Sequence, residues 1–242
     1  MTSLSLSHGS GVPWKRSHAS PVKLVAICGI VDQVTRTDAL DEIADLLPPQ
    51  GLVAVDGVDG AGKTTFCDDL AAVLRERGRE VVRASVDDFH HPQSVRWRRG
   101  KSSPEGFFLD SFDYERFIDR LLTPFAQGLP FQRASHDLET DEYVDPPAEV
   151  APPSALLLVD GIFLHRDELA GRWDFSVFLD VDFAVSVARM AVRDGSPSDP
   201  DDPRNRRYVE GQRLYLTRCD PAARASLVID HNAHRPPNRY PA

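Results

Sequence analysis

The sequence predicts an α/β fold built on a parallel sheet with helices on both faces. Three observations carry that expectation. Short, almost wholly apolar runs recur at residues 52–56, 155–159 and 175–179, as strands buried on both sides require. The segments between them place apolar residues at helical spacing. Strand and helix then alternate to residue 230, the order that parallel pairing through crossover helices produces.

The elements follow in order. Residues 1–20 are rich in Ser, Gly and His and lack the apolar core of a secretion signal, so they are expected to be a disordered tail. Residues 21–50 form a leader of unassigned role: an extra strand at 22–31, then a helix at 37–47 capped by Thr37 with Leu40, Ile43, Ala44 and Leu47 inward. The main domain is expected over 51–235. Its first strand is 52–56, and a helix at 65–77 turns Phe66, Leu70, Val73 and Leu74 to one side before Gly78 stops it. A second strand covers 80–86. Residues 93–106 carry Arg96, Arg98, Arg99 and Lys101 around Trp97, too polar for core, and are expected to be a loop over the site. A helix at 113–122 aligns Tyr114, Phe117, Ile118 and Leu121, and the polar, proline-bearing stretch 132–153 reads as a small hairpin excursion. After the strands at 155–159 and 175–179, Asp182 caps a helix running to about 194, stopped by Gly195. Residues 195–207 hold Pro197, Pro200, Pro203 and several aspartates, the composition of a mobile lid. A helix at 206–218, a last strand at 227–230 and a short tail at 236–242 complete the chain.

Bulk composition narrows the function. The 242 residues suffice for one substantial core. A net charge of −9 argues against a partner held through nucleic-acid phosphates, and no apolar run approaches the ~20 residues of a membrane span. Cys28, Cys67 and Cys219 are widely spaced, as expected of reduced thiols in a cytoplasmic protein, and Cys67 is expected to pack. A homo-oligomer is compatible with the sequence.

The segment Gly57-Val58-Asp59-Gly60-Ala61-Gly62-Lys63-Thr64-Thr65 matches the phosphate-binding P-loop, G-x-x-x-x-G-K-[ST], between a buried strand and a helix. Its glycines let backbone N–H groups turn inward, and the helix N-terminus adds partial positive charge. Lys63 then reaches the outer phosphates of a nucleoside triphosphate, and Thr64 offers a hydroxyl to Mg²⁺.

Three carboxyl strand ends lie where such a sheet binds ligands: Asp56, Asp87 and Asp160. Asp87 follows the second strand and is a candidate base and water-ordering group at the metal, with Asp88 as its competitor and an Asx turn as the structural alternative. Asp160 ends Leu156-Leu157-Leu158-Val159, the apolar-strand-then-acid pattern of a metal-site residue. Arg189 and Arg193 lie four apart on one helix, and Arg204, Arg206 and Arg207 follow in or beside the lid. As a cluster they suit closure over a triphosphate, although each alone fits a surface ion pair. His90, His91 and His136 lack metal-ligand spacing and are expected in the acceptor pocket or at the surface.

Several segments together resemble the uridine kinase-like P-loop kinases, a group that includes phosphoribulokinase and bacterial pantothenate kinase. They are GVDGAGKTT from Gly57, VDDFHHP from Val86, VDGIFLH from Val159, RDG from Arg193 and YVEGQRLYLTRCDP from Tyr208. The resemblance implies a nucleoside monophosphate kinase-like sheet with a lid, ATP or GTP as donor, Mg²⁺, and a small hydroxylated acceptor, most simply uridine or cytidine. It matches Asp87 to the catalytic base, Asp160 to the metal-site acid (usually Glu), Phe89 to the aromatic beside the acceptor, and Arg193 to a lid-helix arginine on the phosphates. His90 stands where Tyr is common. The nucleoside-gripping Y-D-x-x-x-H element finds its nearest match in His136-Asp137-Leu138-Glu139-Thr140-Asp141, which ends in Asp. The expected nucleotide contacts are therefore Gly57, Asp59, Gly60, Ala61, Gly62, Lys63, Thr64, Thr65, Arg193 and Arg204. The acceptor contacts are Phe89, His90, Arg98, His136 and Asp137, and the metal-site groups are Thr64, Asp87 and Asp160. A different alcohol acceptor and a regulatory NTPase are the competing expectations; the absence of an N-K-x-D tetrapeptide weighs against a guanine-reading switch.

Overall fold

Leu52 and Ala54 face one apolar layer while Val53 and Val55 face the other, the two-residue period of a strand buried on both sides. The computed structural model describes residues 33–232, with side chains from Ala39 onward. The tail at 1–20, the strand expected at 22–31, Cys28 and the tail at 236–242 lie outside the described residues.

The elements are α1 (Gln33–Leu46), β1 (Gly51–Gly57), α2 (Lys63–Glu76), β2 (Val81–Ser85), the short helices α3 (Gln93–Arg96), α4 (Pro104–Asp110), α5 (Tyr114–Phe117) and α6 (Thr123–Ala126), a hairpin of β3 (His136–Asp137) and β4 (Glu142–Tyr143), then β5 (Leu156–Gly161), β6 (Phe175–Asp180), α7 (Phe183–Asp194), α8 (Arg206–Cys219), α9 (Pro221–Arg224) and β7 (Leu227–Asp230). Five strands form one sheet in the order β2-β5-β1-β6-β7, every neighbouring pair parallel. Register sets Ser85 and Val55 beside Asp160. The chain's acidic strand ends therefore gather along one edge.

On one face, Leu52, Ala54, Leu157 and Val159 meet Phe89, Phe107, Phe117, Phe163 and Tyr215. On the other, Val53, Val55, Leu156 and Leu158 meet Phe66, Leu70 and Leu74 of α2. Each such side chain contributes about 1.5–3 kcal/mol by leaving water. Leu40, Ile43, Ala44 and Leu47 join the second layer, so the leader helix packs into the domain's core. Arg77 adds ion pairs to Asp41 and Asp45, each at 2.6 Å, but water screens such exposed pairs and the apolar face carries the docking. The helix starts a turn earlier than the sequence implied, which puts Thr37 inside it rather than at its cap.

Gly78 ends α2 as expected. Its N–H bonds to Arg75 O and the Arg79 N–H to Leu74 O, closing the last turn. The helix from Tyr114 runs past its expected end at 122, through a π turn at Ile118–Leu122, into α6. Pro124 has no N–H to give to the Arg120 carbonyl, and Gln132 N–H supplies that bond at 2.8 Å.

Residues 93–106 are not the continuous loop that their charge suggested. They form α3 and the start of α4, which Ser103 caps by accepting the Gly106 N–H at 3.0 Å, with Pro104 in the first turn. Phe107 and Phe108 anchor α4 in the core against α8. Gly211 makes that approach possible, because a Cβ there would lie 2.8 Å from the Phe107 ring and 2.9 Å from Pro104 O. Among the described residues no helix is long and apolar enough to cross a membrane. Cys67 and Cys219 are buried and free.

Candidate active site

The P-loop bridges β1 and α2 in a conformation that depends on glycine. Gly60 has φ +75°, and a Cβ there would meet Ser186 O of α7 at 2.3 Å. Gly62, at φ +91°, is the residue immediately before α2. The N–H groups that open α2 have no partner inside the helix and so serve an anion. Lys63 Nζ lies within the loop, donating to Val58 O at 2.9 Å.

Thr64 and Asp160 come together as the sequence implied. Thr64 Oγ1 donates to Asp160 Oδ2 at 2.7 Å, and Arg83 Nη2 donates to Asp160 Oδ1 at 2.9 Å. Arg83 also binds Leu158 O and Asp68, so it locks β2 to β5 while balancing a nearly buried carboxylate. Thr64, Asp160 and neighbouring Asp87 are hard oxygen donors suited to Mg²⁺. Among the described residues no cluster of three or more His, Cys, Asp or Glu forms a metal cage.

Asp87 stands on the turn after β2, where its N–H is taken by Ser85 Oγ at 3.2 Å. Loss of water around its carboxyl raises its pKa. Lys63 and Arg193 pull it down again while Asp160 pushes it up. Asp88 is raised to about 6 by burial and then by the charges of Asp87 and Asp160. Burial presses His90 down to about 4, so its ring is neutral; Nδ1 donates to Asp87 O at 2.7 Å, because a carbonyl can only accept. Asp59 is raised by burial, against the pull of Lys63.

Two cavities flank this centre. One, of about 420 Å³, lies between the P-loop and residues 194–208, which include the segment expected to be a lid, and is lined by Asp59, Met190, Arg193, Arg204 and Tyr208 among others. The other, of about 280 Å³, is lined by Asp87, Asp88, His136, Asp137, Leu138 and Val144, with Ala134. Asp87 thus lines the second cavity, where burial raises its pKa and the P-loop lysine opposes that rise.

Other expected residues sit elsewhere. Phe89 is fully buried, 5.0 Å from the Phe117 ring centre, and packs beneath the site rather than lining a cavity. His90 packs on Phe112 with ring centres 4.5 Å apart and planes tilted by 50°, and it is not among the residues lining the second cavity. Arg98 and Arg99 both bind the buried Asp110 carboxylate, which commits their charge there. Of the basic cluster, Arg193 and Arg204 line the first cavity, each paired with a neighbouring aspartate, Asp194 and Asp202. Arg189 ties α7 to the carbonyls of His231 and Asn232. Arg207 is a correction. It is buried and donates to the carbonyls of Arg96, Gly100, Lys101 and Ser103, so it anchors the segment before α4 instead of facing phosphate.

Sequence reasoning missed two features. Gln212 of α8 accepts the Asp59 N–H at 2.6 Å, holding the P-loop from above. Beneath the loop, the wholly buried Asp56 accepts from Gly57 N–H at 2.7 Å, from His165 Nδ1 at 2.7 Å and from the Tyr215 hydroxyl; His165 Nε2 pairs with Ser176 Oγ at 3.0 Å. Asp56 was expected among the ligand-binding strand ends, and the structure buries it beneath the loop as an internal acceptor instead; Gln212 carried no local signal.

The chain is similar to known proteins in sequence and in fold. Residues 52–197 match the model of the phosphoribulokinase / uridine kinase family. A uridine kinase of Leuconostoc citreum is 25% identical over 147 residues, 59% of this chain and 68% of that protein. A thymidylate kinase of Xanthomonas campestris pv. campestris is 28% identical over 160 residues, 64% and 66% of the two chains. The chain thus spans about two thirds of the length of these relatives. The structure of a possible uridine kinase from Bacillus stearothermophilus superposes with a TM-score of 0.62 at 23% identity, covering 80% of this chain and 98% of that one, and so shares its fold. The chain belongs to the phosphoribulokinase / uridine kinase family.

Proposed function

We propose that the protein transfers the γ-phosphoryl group of ATP, or less simply GTP, to a hydroxyl of a small molecule, with uridine or cytidine and their 5′-monophosphates as the first substrate–product pairs to test. The observation that supports this most is the position of Asp87, on the wall of the 280 Å³ cavity and under the influence of Lys63, Asp160 and Arg193. An acceptor hydroxyl in that cavity gives its proton to Asp87. Its oxygen forms the new bond to the γ-phosphorus, and the bond to the bridging oxygen breaks, leaving ADP with the electron pair. Lys63, Arg193 and the P-loop N–H groups hold the charge that spreads over the moving group. Thr64 and Asp160 would hold Mg²⁺, which would supply charge neutralisation at the triphosphate.

A different alcohol as acceptor is favoured by one specific observation. Asp141, which ends the element aligned with the nucleoside grip, is already occupied, accepting the Gln93 N–H at 2.9 Å and Arg96 at 2.9 Å. The test is ATP-dependent ADP release across a panel of nucleosides, free sugars and pantothenate-like alcohols. Saturable release with uridine or cytidine supports the nucleoside assignment. Release with another alcohol alone moves it, and no release with any member removes the kinase reading.

A further inference from the structure

The 280 Å³ cavity carries charge of one sign. Asp87, Asp88 and Asp137 stand in its wall, which includes no lysine or arginine. Lys63 and Arg193 act on Asp87 from the P-loop side, and two further guanidinium groups are engaged. Arg133, whose charge acts on Asp88, pairs with Glu149 at 2.7 Å, and Arg96 pairs with Asp141 at 2.9 Å beside His136. No hydrogen bond from the described residues reaches the Asp88 carboxylate.

The same wall holds an orphaned ring. The His136 side chain is fully buried, and Asp141 lies 3.4 Å from its Nε2, yet among the described residues neither ring nitrogen makes a hydrogen bond. A buried imidazole left in this state loses its water without compensation unless a ligand supplies partners. A neutral imidazole needs one acceptor and one donor, and a carboxylate needs donors only. Hydroxyl groups provide both. A phosphate or carboxylate provides acceptors only, and places like charge against Asp88 and Asp137.

We propose that the acceptor is an uncharged polyhydroxyl compound, a nucleoside or free sugar in chemical class, gripped by Asp88 and His136, and that Asp88 and Asp137 exclude phosphorylated or carboxylated acceptors. This rests on the kinase reading above and narrows it. Leu138, Val144 and Ala134 cover the less polar face of such a molecule. Asp88 and Asp137 act as specificity-determining groups, and Asp87 keeps the proton transfer.

The test uses the full chain with ADP and Mg²⁺, following the His136 ring resonances by NMR, identified by their loss in His136→Gln. Uridine, cytidine, D-fructose and glycerol serve as neutral probes, and thymidine 5′-monophosphate and D-glycerate as anionic ones. At least one neutral probe is expected to move the His136 resonances at a concentration tenfold or more below that of either anion. An Asp88→Asn/Asp137→Asn double variant is expected to close that gap. Asparagine keeps the bonds that Asp137 Oδ1 accepts from the Glu139 and Thr140 N–H groups, so the hairpin stays intact. Anions that act at or below the neutral concentrations overturn the proposal, as does a gap that survives the double variant or a silent His136 with every neutral probe. Failure of the kinase reading looks different: neutral probes move His136 while ATP yields no ADP with any of them.

Discussion

Arg83 and Asp160 show how single residues divide the work at the site. Asp160 is nearly buried, and a lone carboxylate there would be costly; Arg83 balances one oxygen and leaves the other to Thr64. Removing one partner of a buried pair typically costs about 3–5 kcal/mol. Arg83→Met is therefore expected to lower the urea midpoint and to raise the KM for ATP, since Asp160 loses its fixed orientation. An unchanged KM would separate Arg83 from the metal site. Asp88 makes a second residue-scale prediction. Its carboxyl, raised to about 6, is ionised above that pH and protonated below it, so acceptor KM is expected to rise as pH falls through 6. His90, neutral down to about 4, adds no titration in that window. In Asp88→Asn the feature near pH 6 should vanish; its persistence would assign the titration to another group.

At the scale of elements, α8 does more than cover the sheet. Asn205, just before it, donates to Pro197 O and Asp199 O and so staples the lid; Arg207 holds the segment before α4; Gln212 and Tyr215 hold the P-loop from two sides. Tyr215→Phe keeps the ring and removes one donor from buried Asp56. A cost of about 1–3 kcal/mol is expected, read by urea denaturation, because Asp56 Oδ2 is left with His165 Nδ1 alone and the buried His165 N–H loses its acceptor, the Tyr215 oxygen. A loss of stability indistinguishable from zero would show that His165 and Gly57 satisfy Asp56 alone. Much of this layer was legible in the sequence. The strands at 52–56, 155–159 and 227–230 announced themselves as apolar runs, and α2 by its helical spacing. α4 was hidden because the arginine-rich stretch before it masked the Ser103–Pro104 start. Arg207 was misjudged because its partners are carbonyls about a hundred residues earlier, which no local pattern encodes.

For the molecule as a whole, the parallel order β2-β5-β1-β6-β7 sets two cavities on either side of one acidic strand edge. One lies under the lid with Arg193 and Arg204; the other lies by the β3–β4 hairpin with His136 and Asp137. The P-loop, Asp87 and Asp160 were readable from their motifs. The pairing of the cavities was not, because the hairpin's place depends on tertiary contacts such as Ser135 N–H to Asp88 O at 2.9 Å. A net charge of −9 surrounds this site, so the cations of the P-loop and lid stand out against an acidic background.

In the proposed reaction Asp87 takes the acceptor's proton while the P-loop holds the triphosphate. Steady-state transfer and ATP affinity measured side by side in Asp87→Asn test it most directly. A fall in kcat of about 10²–10⁴ with the Kd for Mg²⁺–ATP within a few-fold of the parent is the expected result. Turnover equal to the parent's would contradict it.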